Sequence, residues 1–204
     1  MSGQIHIDVF LTLDGVGQGP GGPDEDRDGG FPFGGWQAPY ADAATGARIM
    51  RGIESMDALL LGRRTYDIFA GYWPQHAENP IGRIFNALPK YVATHRDAPL
   101  AWAHSTRLGD DVPTAVAALR DRHREVHVVG SLDFAQTLLR EGLFDRLNLW
   151  TYPVVLGVGK RLFPEGVTPV ALTPAEEPLV AENGTVFASY APAGRPRTGT
   201  IDDG

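Results

Sequence analysis

The 204-residue chain is predicted to fold as one α/β domain of three layers, α/β/α, around a central mixed sheet. Three observations predict it. Short apolar strands alternate with segments of helical periodicity, most strands run out into glycine or hydroxyl residues, and the last third carries an Asn183-Gly184 turn signal. Alternation of this kind places parallel strands at the centre of the sheet, and a terminal hairpin adds an antiparallel edge. A chain of this length buries on the order of 70% of its unfolded surface, so it needs no covalent staples.

The first strand spans Ile5 to Leu11, where His6 and Asp8 alternate with apolar residues before continuous apolarity takes over, and it ends at Asp14-Gly15. From Gly15 to Gly35 there are nine glycines and three prolines in 21 residues. That composition predicts a long mobile loop that contributes nothing to a core. Asp42 is placed to cap a helix carrying Ile49, Met50, Ile53 and Met56 on one face, and Ala58 to Leu61 follows as a strand. A strand at Lys90–Thr94, a helix opened by Pro113 and a strand at Val126–Val129 come next. A helix from about Asp133 closes at Gly142, and Leu147–Val155 reads as a central strand with Pro153 near its end. The runs Pro178–Glu182 and Thr185–Tyr190 flank the Asn183-Gly184 turn, in which both residues are expected at positive φ. Residues 1–192 are therefore assigned to one domain, and 193–204 to a disordered tail.

Composition narrows the function. A net charge of −7 with few clustered basic residues argues against nucleic acid as a partner. The absence of cysteine excludes disulfides and thiolate metal sites and fits a cytoplasmic location. No run of 18 apolar residues is present, so no membrane span is expected.

Several motifs are decoys. Gly17-Gln-Gly19-Pro-Gly21-Gly22 matches a dinucleotide fingerprint, with Asp42 at the ribose-binding distance, but Pro23 and an acidic run stand where the helix should begin. Asp24, Asp26 and Asp28 copy half of a calcium loop whose bidentate glutamate position is Gly35. His123 and His127 straddle a loop-to-strand junction, where a spacing of four does not converge two imidazoles, and no metal is expected. Neither a G-x-S-x-G elbow nor a phosphate-binding G-x-x-x-x-G-K-[ST] loop occurs.

What remains is a set of strand ends. In open α/β sheets ligands bind beyond the carboxyl ends of strands. Three such ends carry suitable groups: Gly62-Arg63-Arg64-Thr65, Thr94-His95-Arg96 and Gly130-Ser131-Leu132. The paired guanidiniums and a helix start form a grip for phosphate oxygens, as the phosphorylated end of a nucleotide requires.

These elements resemble the dihydrofolate-reductase-like fold, and more closely the reductase domain of the riboflavin-pathway deaminase-reductase and its stand-alone relatives. Leu61-Gly62-Arg63-Arg64-Thr65-Tyr66 is similar to the family's G-R-x-T-[WY] element, and Pro153 to Phe163 to its P-V-L-L-G-G-G-K-x-L-F run. The resemblance implies NADPH as cofactor, with Arg63 on the 2′-phosphate, Thr65 on the pyrophosphate and Thr94, His95 and Arg96 at the adenosine. Gly130, Ser131 and Leu132 with Gln136 would form the second pyrophosphate turn, where Ser131 replaces one glycine of a pair.

The expected activity is hydride transfer to a small heterocyclic or sugar-phosphate substrate, similar to 5-amino-6-(5-phosphoribosylamino)uracil. Dihydrofolate reductase-type activity and a non-catalytic nucleotide-binding protein of the same fold are the alternatives. In dihydrofolate reductases a helix carboxylate lies about 16 residues before the motif glycine. Here that position is Gly46, with Asp42 one turn earlier. Asp14 is the candidate catalytic carboxylate, the 15–35 loop the candidate lid, and Trp36, Asp42 and Tyr152 the candidate substrate contacts. The resemblance also implies a homodimer.

Overall fold

The structure, a computed structural model, describes residues 2–201. Its centre is a nine-stranded mixed sheet. Strand β1 (Gln4–Thr12) lies between β5 (Glu125–Val128) and β6 (Arg146–Tyr152), parallel to both. Beyond β5 come β2 (Ala58–Gly62), β3 (Lys90–Ala93) and β4 (Ser105–Arg107), all parallel. On the other side β9 (Val186–Pro192) runs antiparallel to β6 and carries both β7 (Leu172–Pro174) and β8 (Leu179–Val180). The mixed sheet, parallel at its centre and antiparallel at its C-terminal edge, is the predicted one.

The two-residue period of β1 sorts the layers. Ile5, Ile7, Val9 and Leu11 face a core shared with α4 (Val112–Leu119) and α5 (Leu132–Arg140). The opposite sheet face packs Leu59, Leu61 and Val92 against Ile53, Tyr66 and Phe85, from α1 (Ala43–Ser55), α2 (Arg63–Tyr72) and α3 (Pro80–Ala87). Each large side chain buried in these layers contributes about 1.5–3 kcal/mol.

Three expectations are corrected. The 15–35 loop does contribute to a core: Val16, Phe31 and Trp36 are buried with Trp150, Tyr152 and Phe187. Its glycines shape turns rather than loosen the chain, since Gly19, Gly29, Gly30 and Gly35 take positive φ. Gln18 then ties the loop together, its amide donating to the Asp26 and Asp28 carbonyls and its oxygen accepting from Lys160 N. In the terminal hairpin only Gly184 has positive φ (82°), while Asn183 Oδ1 accepts from Thr185 N, so the connection is a longer loop than a two-residue turn. The central strand predicted to Val155 stops at Tyr152, before Pro153, which has no N–H for the ladder. Of the tail predicted over 193–204, residues 202–204 lie outside the described residues. Among the described residues no helix is long and apolar enough to cross a membrane.

Candidate functional site

Strands β2, β3 and β5 end side by side, and the chain that leaves each of them meets the others at close range. Gly62 N donates to Gly130 O at 3.0 Å. A Cβ on Gly62 would stand 2.3 Å from Ser131 Oγ, and one on Gly130 2.6 Å from Thr65 Oγ1. Two absent side chains therefore let the start of α2 and the start of α5 converge. A cavity of about 220 Å³ opens there, lined by Gly62, Arg63, Thr94, His95 and Ser131 among the predicted residues.

Its electrostatics come from the two helix starts. Helices α1, α3 and α4 are capped by Asp42, Asn79 and Asp111, whose side chains accept from N–H groups of the first turn. At α2 and α5 the cap residues are Gly62 and Ser131, and neither provides a side-chain acceptor. The unsatisfied N–H groups and positive dipole ends of both helices thus meet at one cavity, an arrangement that favours an anion. Arg63 adds a guanidinium to the lining. Its Nε is held by the Asp67 carboxylate at 2.8 and 3.0 Å, and its Nη1 lies 3.4 Å from Ala98 O. Asp110 and Asp133 also line the cavity, and Asp110 Oδ1 accepts from Arg107 Nη2 at 2.9 Å.

The remaining predicted cofactor residues divide. Thr65 packs under the Gly130 turn. Leu132 lies against Gly17, and Gln136 Nε2 donates to Arg161 O, so both support the loop rather than the cavity. Arg96 stays on the exposed turn beyond Thr94, outside the lining. Arg64 turns away to the glycine-rich loop, where Asp26 and Asp28 hold it at 3.0 and 2.9 Å and hold Lys160 at 2.9 Å each. The three-aspartate run read as half of a calcium loop spends two of its carboxylates in this way.

A second cavity, of about 260 Å³, lies between that loop and the start of α1. Asp42, Gly46, Thr45, Ile49, Gln37 and Tyr152 line it. Burial raises the Tyr152 phenol to about 12 against a lowering hydrogen bond from Gln37, 2.7 Å away. Tyr152 therefore stays protonated. Asp42 Oδ1 is occupied by the cap, accepting from Ala44 N and Thr45 N at 2.9 and 3.0 Å. Trp36 lies behind the cavity rather than in its lining. It is 7% exposed, its Nε1 donates to Gln18 O, and its ring meets Tyr152 edge-on.

Asp14, the candidate substrate-orienting or proton-relaying carboxylate, belongs to the lining of neither cavity. Although burial raises its pKa, hydrogen bonds from the Thr12 hydroxyl and the Gly157 and Leu156 N–H groups prevail and hold it at about 2. As a carboxylate it pins the 154–161 turn to β1, with Arg161 Nη2 at 3.3 Å. His123 and His127 part as expected, the first to the Tyr91 hydroxyl and the second to Asp8. Residue types alone did not single out Asp133, Phe134 and Thr137 as lining. Their shared face of α5, visible in the helical period, is the signal that finds them.

Residues 4–177 match the RibD C-terminal domain family. The uncharacterized protein YyaP of Bacillus subtilis (strain 168) is 25% identical over 169 residues, which cover 78% of this chain and 80% of that protein. Among solved structures, a pyrimidine reductase-like protein from Corynebacterium diphtheriae superposes with a TM-score of 0.61 at 14% identity, covering 93% of this chain and 92% of the other. Dihydrofolate reductase from Enterococcus faecalis, complexed with NADP(H) and RAB-propyl, superposes with a TM-score of 0.58 at 14% identity, covering 95% of this chain and 98% of the other.

Proposed function

The chain belongs to the RibD C-terminal domain family, and from that premise we propose that it is an NADPH-dependent reductase of a small heterocyclic substrate. Membership of that family, together with fold neighbours that are a pyrimidine reductase-like protein and a dihydrofolate reductase, supports an oxidoreductase as the class. The observation that carries the cofactor reading is the pair of uncapped helix starts at one cavity beside Arg63. A site built of free N–H groups and a guanidinium fits a phosphorylated dinucleotide, and the enterococcal fold neighbour is bound to NADP(H).

Gly62, Ser131 and the first turns of α2 and α5 would hold phosphate oxygens, Arg63 the 2′-phosphate, and Thr94 and His95 the adenosine side. When bound, NADPH supplies a hydride. The second cavity would orient the acceptor: Tyr152, kept protonated, donates from its hydroxyl, Asp42 presents a carboxylate, and the packed loop excludes water on one side. No lysine or arginine belongs to that lining. This supports an uncharged ring over a sugar phosphate as the occupant. Folate-type reduction is disfavoured because Gly46 stands in the lining where a carboxylate would be required.

Calorimetric titration of the protein with NADPH and NADH tests the reading. Arg63→Ala is expected to weaken NADPH by about 2–3 kcal/mol, the range for a charge-assisted phosphate contact, and NADH far less. Equal loss for both removes the assigned role, and absence of any NADPH binding removes the function.

A further inference from the structure

On the helix α1 side of the sheet, towards the start of β1 and β5, three donors converge. Parallel pairing sets Gln4 opposite Glu125 and His6 opposite His127. One ligand atom each from His6, Glu125 and His127 lies within 4.8 Å of the others. His127 is 2% exposed, and its Nε2 is buried with no hydrogen-bond partner, 3.7 Å from Glu125 Oε2.

The other nitrogen explains which way this ring must work. His127 Nδ1 lies 2.8 Å from Asp8 Oδ2. Asp8 Oδ1 accepts from Asn148 Nδ2 at 2.9 Å, and Asn148 Oδ1 accepts from Ser189 Oγ at 2.7 Å. A carboxylate can only accept, so Nδ1 carries the hydrogen, and Nε2 is the ring atom that faces the Glu125 carboxylate, bearing either a proton or a free lone pair. Two electron-rich groups facing each other across a buried gap require a cation between them. A proton would satisfy Nε2 and Glu125 alone. A metal ion would also engage His6, whose ring centroid is 4.6 Å from that of His127.

We propose that His6, Glu125 and His127 form a binding site for a divalent transition metal of the zinc class, with Asp8 holding His127 in the ligating tautomer. Two imidazoles and one carboxylate suit zinc and its neighbours rather than calcium or magnesium, which prefer oxygen. A carboxylate behind a ligating histidine is the usual second layer of such sites. His6 and Glu125 are half-buried, giving a path of entry and the freedom to close to bonding distance. Gln4 Oε1 lies 3.1 Å from His6 Nε2, and Arg146, in register with His6, turns its Nη1 to the Asp145 carbonyl. From His6 to Thr12 at the strand end is roughly 20 Å of extended chain, so the metal would clamp β1 to β5 without touching either cavity.

The test uses tag-free, chelator-treated full-length protein, titrated with Zn²⁺ by calorimetry and with Co²⁺ by visible absorption. Stoichiometric binding is expected, with an upshift in thermal unfolding and ligand-field bands of low-coordinate Co²⁺ that Zn²⁺ abolishes. His6→Ala and Glu125→Gln, at half-buried positions, should each weaken binding at least tenfold, and Asp8→Asn by about 10–100-fold. His104→Asn should leave it unchanged. No heat and no bands at tens of micromolar metal would overturn the proposal, leaving a proton as the cation. Binding that survives His6→Ala and Glu125→Gln would overturn it as well, as would equal response to Mg²⁺ or Ca²⁺.

Discussion

At Gly62 an added Cβ would meet Ser131 Oγ at 2.3 Å and Ser131 N at 2.9 Å. The hydroxyl can rotate away and the backbone nitrogen cannot, so Gly62→Ala should separate the starts of α2 and α5 at a cost of about 1–3 kcal/mol. Gly71, near the end of α2, has nothing within 4 Å of its hypothetical Cβ. Gly71→Ala should instead stabilise by about 0.5–1 kcal/mol, and urea unfolding of the two variants measures the contrast. Asp14 supplies a pH-dependent term. Its folded pKa of about 2 lies below the ordinary 3.8, so its contribution is complete above pH 4 and is lost as pH falls towards 2. Asp14→Ala should cost about 1–2 kcal/mol at pH 6 and almost nothing at pH 2, by unfolding at both pH values. At this scale the position of Arg63 beside a cavity at a strand end was legible, because few side chains offer its donor chemistry. Trp36 was not, because an aromatic at a loop end reads the same whether it faces a ligand or lies beneath Tyr152.

Helix α1 shows what an element adds to its residues. Asp42 closes its first turn and lines the second cavity, while Gly46, one turn on, has nothing within 4 Å of an added Cβ. Asp42→Ala removes the cap and should cost about 1 kcal/mol. Gly46→Ala should return a similar amount through helix propensity. Its methyl group enters the cavity, so thermal unfolding should rise while any substrate affinity falls; a rise in both would mean that the cavity does not bind substrate. The cap was legible because aspartate before an apolar period has one economical use. Helix α3 and strands β4 and β7 were missed for a physical reason. They are three to eight residues long, too short for a period to declare itself, and tertiary packing rather than local preference holds them. The glycine-rich loop was misread for the converse reason: composition reports chain entropy, whereas Gln18 and five positive-φ glycines set a specific path.

Across the whole molecule the loop is also a strap. Its two carboxylates, Asp26 and Asp28, bridge Arg64 at the start of α2 and Lys160 on the turn after β6. A phosphorylated cofactor held at the start of α2 would offer Arg64 oxygens of the same charge as those carboxylates. Cofactor and strap should then compete for Arg64. Exposed ion pairs are worth about 0.2–1 kcal/mol, so Asp28→Asn should tighten NADPH by about 1.4- to fivefold. The gap between variant and wild type should shrink as salt screens the strap. Fluorescence titration with NADPH at low and high ionic strength measures both effects. Weaker binding in Asp28→Asn at low salt would show the opposite coupling, in which the strap arranges Arg64 for the cofactor instead of occupying it.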